Sequence, residues 1–131
     1  MHLKIITHEN IIFDEEVSEI YSKGLDGEFG ILNGHEPIMS ALDIGVTKVI
    51  QNEDTKLFTT MGGILQFKDN EAVILTDAGE LGDDIDVARA KEAKARAEAR
   101  LAEVNASIDA KRAEAALARA MVRLKAALKN K

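Results

Sequence analysis

Arginine placement carries the most chemistry in this 131-residue sequence. In GDDIDVARA, residues 82–90, Asp86 stands three positions before Arg89. Arg96 follows seven residues after Arg89, close to two helical turns, so on a helix the two share a face. Arg119 and Arg123 lie one turn apart on a later segment. If the two segments pair antiparallel, four guanidiniums converge, which is costly unless an anion sits among them. That chemistry is anion binding, not bond breaking: there is no Walker glycine loop with its Lys, and no general base is apparent. The same Asp86–Arg89 spacing also fits an ordinary first-turn acid and an exposed ion pair of little energetic value.

Two segments position these residues. From Asp83 onward glycine and proline disappear, and IDVARAKEAKARAEARLAEVN followed by SIDAKRAEAALARAMVRLKAALKN read as two Ala-rich helices. Asp83 or Asp84 is expected to cap the first, with Asn105 to Ser107 as the break and Ser107 capping the second. Glu92 and Arg96 form an expected stabilising pair. The second helix carries an apolar stripe, Leu117, Met121, Leu124 and Leu128. The first has nothing larger than Ala on its apolar side between Val87 and Leu101. A buried Leu contributes roughly 1.5–3 kcal/mol and an Ala much less. The helical hairpin is therefore expected to hold together weakly and to exchange its packing easily, as a switch element does.

Ahead of the helices, HLKIIT, NIIF, GVTKVIQ, TKLFTT, GILQFK and EAVILT are short β-branched runs separated by the turn signals QNED, MGG and KDN. This pattern predicts an antiparallel sandwich or barrel over residues 1–84, with the helical part over 85–131. Between the strands, GLDGEFGILNGHEP, residues 24–37, holds four glycines and the only proline. It reads as a tightly shaped loop with a short strand inside, either a structural turn or a surface offered to a partner.

Charge divides at the same boundary. Residues 1–84 carry 5 Lys or Arg against 17 Asp or Glu, and residues 85–131 carry 12 against 6. The basic half is expected to meet something acidic. Nucleic acid ranks low, because the tail lacks aromatic stacking residues and interleaves its cations with acids. No cysteine is present, so disulfides and thiolate metal sites are excluded. The longest uncharged run, Leu57 to Phe67, is too short to cross a bilayer, and no signal peptide is visible. The three histidines are scattered without a second ligand at metal spacing, His2 and His8 being expected to face solvent. A small hydrolase using Glu28, His35 or Asp43 is the alternative from the enzyme class.

GEFGILNGHEP, GGIL and IDVARA with its Ala-rich helices together resemble the epsilon subunit of bacterial F-type ATP synthase, across essentially the whole chain. One departure is Asn33, where that family usually has proline. The resemblance implies a β sandwich of about ten strands followed by a C-terminal two-helix domain. It implies a non-catalytic subunit of the central stalk, on the cytoplasmic face of a bacterial membrane, with the γ subunit and the c-ring as partners. The interface expected with them is Glu28, Gly30, Leu32, Gly34, His35 and Pro37. The helices would extend to the catalytic α and β subunits and restrain ATP hydrolysis. IDVARA is similar to a nucleotide-binding motif of some members. By that likeness Glu80, Ile85, Asp86, Arg89 and Ala90 surround an adenosine, while Arg96, Arg119 and Arg123 reach the phosphates of a regulatory ATP. No cofactor is required, and a free-standing ATP-sensing protein is the alternative.

Overall fold

The computed structural model describes the backbone of residues 1–103 and 107–128, with side chains for residues 1–103 and 110–127. Eight strands come first: β1 (His2–Ile6), β2 (Ile11–Glu16), β3 (Glu19–Gly24), β4 (Gly27–Leu32), β5 (Ile38–Gln51), β6 (Asp54–Lys68), β7 (Glu71–Leu75) and β8 (Gly79–Leu81). A single 3-10 turn, Gly82–Asp84, leads to helices α1 (Val87–Ala102) and α2 (Ser107–Leu128).

The strands hydrogen-bond in the order β2-β1-β7-β6-β5-β3-β4, with β8 also on β6. Only the β1–β7 pair is parallel among the described strand pairs. β5 and β6, at 14 and 15 residues, are each long enough to serve twice. The C-terminal part of β6 pairs with β7 and its N-terminal part with β8. Counted once in each layer, these two long strands bring the eight to the ten expected of the sandwich.

MGG was predicted as a turn, and it is instead the bend within β6. Pairing with β5 passes from Leu42↔Gly63 to Ile44↔Met61, leaving Asp43 and Gly62 outside the ladder. Gly62 and Gly63 take φ of +78° and +115°. At Gly63 a Cβ would lie 1.9 Å from the Leu75 carbonyl oxygen, so a side chain is excluded there on steric as well as conformational grounds.

Alternation along the strands builds one core between the layers. Leu3, Ile5, Leu65, Phe67 and Ile74 meet Ile20, Ile31, Val49 and Phe58, all at most 1% exposed. Phe13 sets its ring edge-to-face on Phe58 at 5.2 Å. This core contains no helical residue.

α2 is the helix that lies on the sandwich, packing against β5, β6 and the 3-10 turn. Its contact is small: Ala126 and Ala127 join Leu57, Ile85 and Ala90 in a separate cluster, flanked by Val46, Val87 and Leu124. The expected leucine stripe is not the packing face throughout. Met121 is 50% exposed, and the buried positions among the described residues are Ala90 and Ala97 of α1 with Ala113, Ala120, Ala126 and Ala127 of α2. Alanine lets the two helices approach closely where Leu or Met would hold them apart, so the larger side chain is displaced outward. The side chain of Leu128, the Ser107 cap and Asn105 lie outside the described residues. Glu92 and Arg96 form no ion pair.

Candidate functional site

The cap of α1 is Asp86, not Asp83 or Asp84. Its side chain accepts from the Arg89 backbone N–H at 3.0 Å, while Asp83 and Asp84 belong to the preceding 3-10 turn. The extended backbone of Ile85 and Asp86 postpones the helix start by two residues, which moves the capping position with it. Asp86 therefore performs the structural task that its spacing allowed, whatever else it binds.

Capping aims the first turn of α1 along the rim of a cavity of about 500 Å³ between the helices and β8. Its lining is Glu80, Asp84, Ile85, Asp86, Arg89, Ala90, Ala93, Arg96 and Arg123. Seven of the eight residues assigned from the family motif thus meet around one space. The eighth, Arg119, is not among the lining residues; it stands one turn before Arg123 on α2, about 6 Å along the helix. Asp84 and Ala93 line the cavity and were not expected. Ala93 lies one turn after Arg89, so helical spacing was a signal for it.

Three guanidiniums and three carboxylates face this space. Arg123 donates from Nε to Glu80 Oε1 at 2.8 Å, and both side chains are about one-third exposed, at 31% and 39%. Glu80 is held rigidly, since its backbone N–H donates to Thr59 Oγ1 at 3.0 Å within the β6–β8 ladder. Arg89 and Arg96 have no ion pair among the described residues. Carboxylates accept N–H and O–H groups, and guanidiniums donate to phosphate or carboxylate oxygens. The cavity accordingly suits a ligand that carries both hydrogen-bond donors and negative charge. Its volume lies within the usual range for small-molecule sites, roughly 300–1,000 Å³.

A second cavity of about 500 Å³ lies on the outer side of β3, β4 and β5, lined by Tyr21, Glu28, Gly30, Lys48 and Lys125 among others. It has no arginine. Glu28 and Gly30 are here, apart from the turn that holds Gly34, His35 and Pro37, so the expected partner interface is divided between two places. In that turn Gly34 donates to Asn70 Oδ1 at 3.2 Å, and the His35 ring packs edge-to-face on Phe67 at 5.9 Å. These contacts hold the loop at Asn33, where the family's proline is missing. Leu32 beside it is 50% exposed. Glu28, His35 and Asp43 do not converge, Asp43 standing 3.8 Å from Lys23 Nζ on another part of the sheet.

One surface escaped the sequence reading. Ala41, Ile64, Leu75, Ile6 and Ile11 are successive cross-strand partners over five strands. They form an apolar row on the outside of the sandwich, with Ile64, Leu75 and Ile11 exposed at 44%, 51% and 52%. The available signal was apolar side chains at consecutive positions in NIIF, GILQF and AVIL, where strict alternation would have placed polar ones.

The sequence matches two families, described as the β-sandwich domain and the long α-helix domain of the ATP synthase delta/epsilon chain, over residues 1–82 and 83–127. Among its relatives is the ATP synthase epsilon chain of Pelotomaculum thermopropionicum, 46% identical over 125 residues, covering 95% of this chain and 93% of the relative. That of Priestia megaterium is 40% identical over 101 residues, covering 77% and 75%. A similar solved structure is a chain of the Euglena gracilis mitochondrial ATP synthase OSCP/F1/c-ring complex, with TM-score 0.83 and 25% identity over 96% of this chain and 79% of that one. A chain in the Tetrahymena thermophila central stalk and c-ring structure shares the fold at TM-score 0.66 and 16% identity, covering 97% and 96%.

Proposed function

This chain belongs to the ATP synthase delta/epsilon chain family, as an epsilon chain, and on that premise we propose that it is a non-catalytic stalk subunit whose helices restrain ATP hydrolysis and sense ATP. The sandwich serves as the body that joins the γ subunit and the c-ring. Its exposed apolar row from Ala41 to Ile11 supplies a flat surface that a stalk partner would cover. The turn at Gly34, His35 and Pro37, with Leu32, offers a second contact. The subunit then sits peripherally on the cytoplasmic face of a bacterial membrane, and no described helix is long and apolar enough to cross one.

The helices are the moving part. Alanines make their mutual contact, and a small cluster around Ala126 makes their contact with the sandwich. Little apolar area is lost when they leave, and the sandwich core loses no residue. Extended, the basic helices reach the acidic surfaces of the catalytic α and β subunits and oppose rotation in the hydrolysis direction. Folded down, they complete the arginine-lined cavity, so a ligand held there favours the folded state by its differential affinity.

The observation that carries the nucleotide reading is the convergence of Glu80, Asp86, Arg89, Arg96 and Arg123 around one cavity. Glu80, Asp84 and Asp86 supply acceptors for the N–H and O–H groups of a nucleoside, and Arg89, Arg96 and Arg123 supply donors for its phosphates. ATP is read here as a bound regulator and not as a substrate. Titrating ATP into the purified chain tests the site, with saturable heat and no turnover as the expected result. Deleting residues 85–131 tests the division of labour: the remaining sandwich is expected to join the complex while hydrolysis loses its restraint. A truncated chain that fails to assemble would refute that division.

A further inference from the structure

Arg123 is already engaged by a carboxylate, and this sets a condition on any anion that enters. Its partner Glu80 belongs to the sandwich, whereas Arg123 belongs to α2, so their bond at 2.8 Å spans the two domains. Glu80 cannot follow a departing arginine, because β8 pairing and the bond from its N–H to Thr59 fix its backbone. A phosphate drawn to Arg123 would arrive beside a carboxylate of like charge. Sharing one guanidinium between two anions leaves them repelling each other; exchanging partners removes the repulsion only if Glu80 gains a new donor.

We propose that the Glu80–Arg123 ion pair is a clasp between the domains that a nucleoside triphosphate exchanges on entry. The phosphates take Arg123, and the released Glu80 carboxylate accepts an N–H or O–H from the ligand's nucleoside end. The proposal rests on the nucleotide reading of this cavity. It gives Glu80 two roles. Without ligand it holds α2 against the sandwich, and it selects against plain polyphosphates, which carry charge for Arg123 but no donor for Glu80.

The test is calorimetric titration of the full-length chain and its Glu80→Gln variant with sodium tripolyphosphate and with ATP. Glu80→Gln frees Arg123 and removes the repelling charge, so tripolyphosphate is expected to bind the variant roughly two- to fivefold more tightly, the scale of a partly exposed ion pair. ATP is expected to lose most of its advantage over tripolyphosphate. Without ligand, the amides of α2 are expected to exchange faster in the variant. Glu80→Asp, which keeps the charge, is expected to restore the discrimination and thereby excludes a folding defect. Unchanged or weaker tripolyphosphate binding by Glu80→Gln overturns the exchange and leaves Glu80 as a residue that merely aims Arg123. If the parent chain binds ATP but shows that result, only the exchange fails. If the parent binds neither probe, the nucleotide reading fails and takes the exchange with it.

Discussion

Gly82, in the 3-10 turn, packs against the backbone of α2, and replacing it with alanine is a direct perturbation of helix docking. A Cβ there would lie 2.5 Å from the Ala126 carbonyl oxygen, 3.0 Å from the Ala126 carbonyl carbon and 3.2 Å from the Leu57 carbonyl oxygen. All three are backbone atoms, so no side-chain rotation relieves the clash. Either the end of α2 lifts or the 3-10 turn shifts. Forcing a methyl into a packed site costs about 1–3 kcal/mol. The forces opposing displacement are of similar size: alanine contacts around Ala126 and one ion pair a third exposed, the latter contributing about 0.2–1 kcal/mol. Gly82→Ala is therefore expected to reduce the docked population roughly 5- to 100-fold relative to the undocked one, at 1.4 kcal/mol per factor of ten. Hydrogen exchange separates this from general destabilisation. Amides of α2 are expected to lose protection, because a helix without a packing partner is marginal in water, while Leu3, Ile5, Leu65 and Ile74 keep theirs. In the assembled enzyme the same variant is expected to restrain ATP hydrolysis more strongly. Equal protection of α2 in variant and parent would refute the docking argument, and a parallel loss across the sandwich core would show that Gly82 supports the β domain instead.

Asp86→Ala removes the α1 cap and is expected to cost about 0.5–2 kcal/mol of helix stability, whereas Asp86→Asn keeps an accepting oxygen; ATP binding retained by Asn and lost by Ala in calorimetry would assign Asp86 to the helix rather than to the ligand. Ile64→Asp charges the centre of the apolar row, and co-purification with γ is expected to fall sharply while the thermal midpoint of the isolated chain stays nearly constant, since Ile64 is outside the core. His2 is held above its usual 6.5, first by its hydrogen bond to Asp14 and also by Glu16 at 3.2 Å, against desolvation that lowers it. A raised folded-state value means the bridging of β1 to β2 is fully present below about 6.5 and lost as pH rises through the raised value. The melting-temperature gap between parent and His2→Gln is accordingly expected to be largest at pH values below about 6.5 and to shrink as pH rises above it, and a gap that widens with pH would contradict it.

Composition and local periodicity were sufficient for the order of the molecule. Runs rich in β-branched residues mark the strands, and the loss of glycine after Gly82 marks the change to helix, because both signals act between near neighbours in the chain. That α1 would bury alanines was also legible, from the absence of anything larger than Ala on its apolar side between Val87 and Leu101. Arginine spacing indicated which side chains share a helix face. It did not indicate that Arg123 stands opposite Glu80 while Arg119 is a turn away, since that depends on where α2 rests on the sandwich. The MGG segment reads locally as a turn and becomes a bend only because β5 continues pairing on both sides of it. Met121 is apolar and at stripe spacing, yet it faces outward because close alanine packing leaves no room for it. Likewise Ala41, Ile64, Leu75, Ile6 and Ile11 form one surface through register across five strands, a relation between residues up to 69 positions apart. Local chemistry determined the elements, and the long-range register and docking of those elements decided which of their side chains meet.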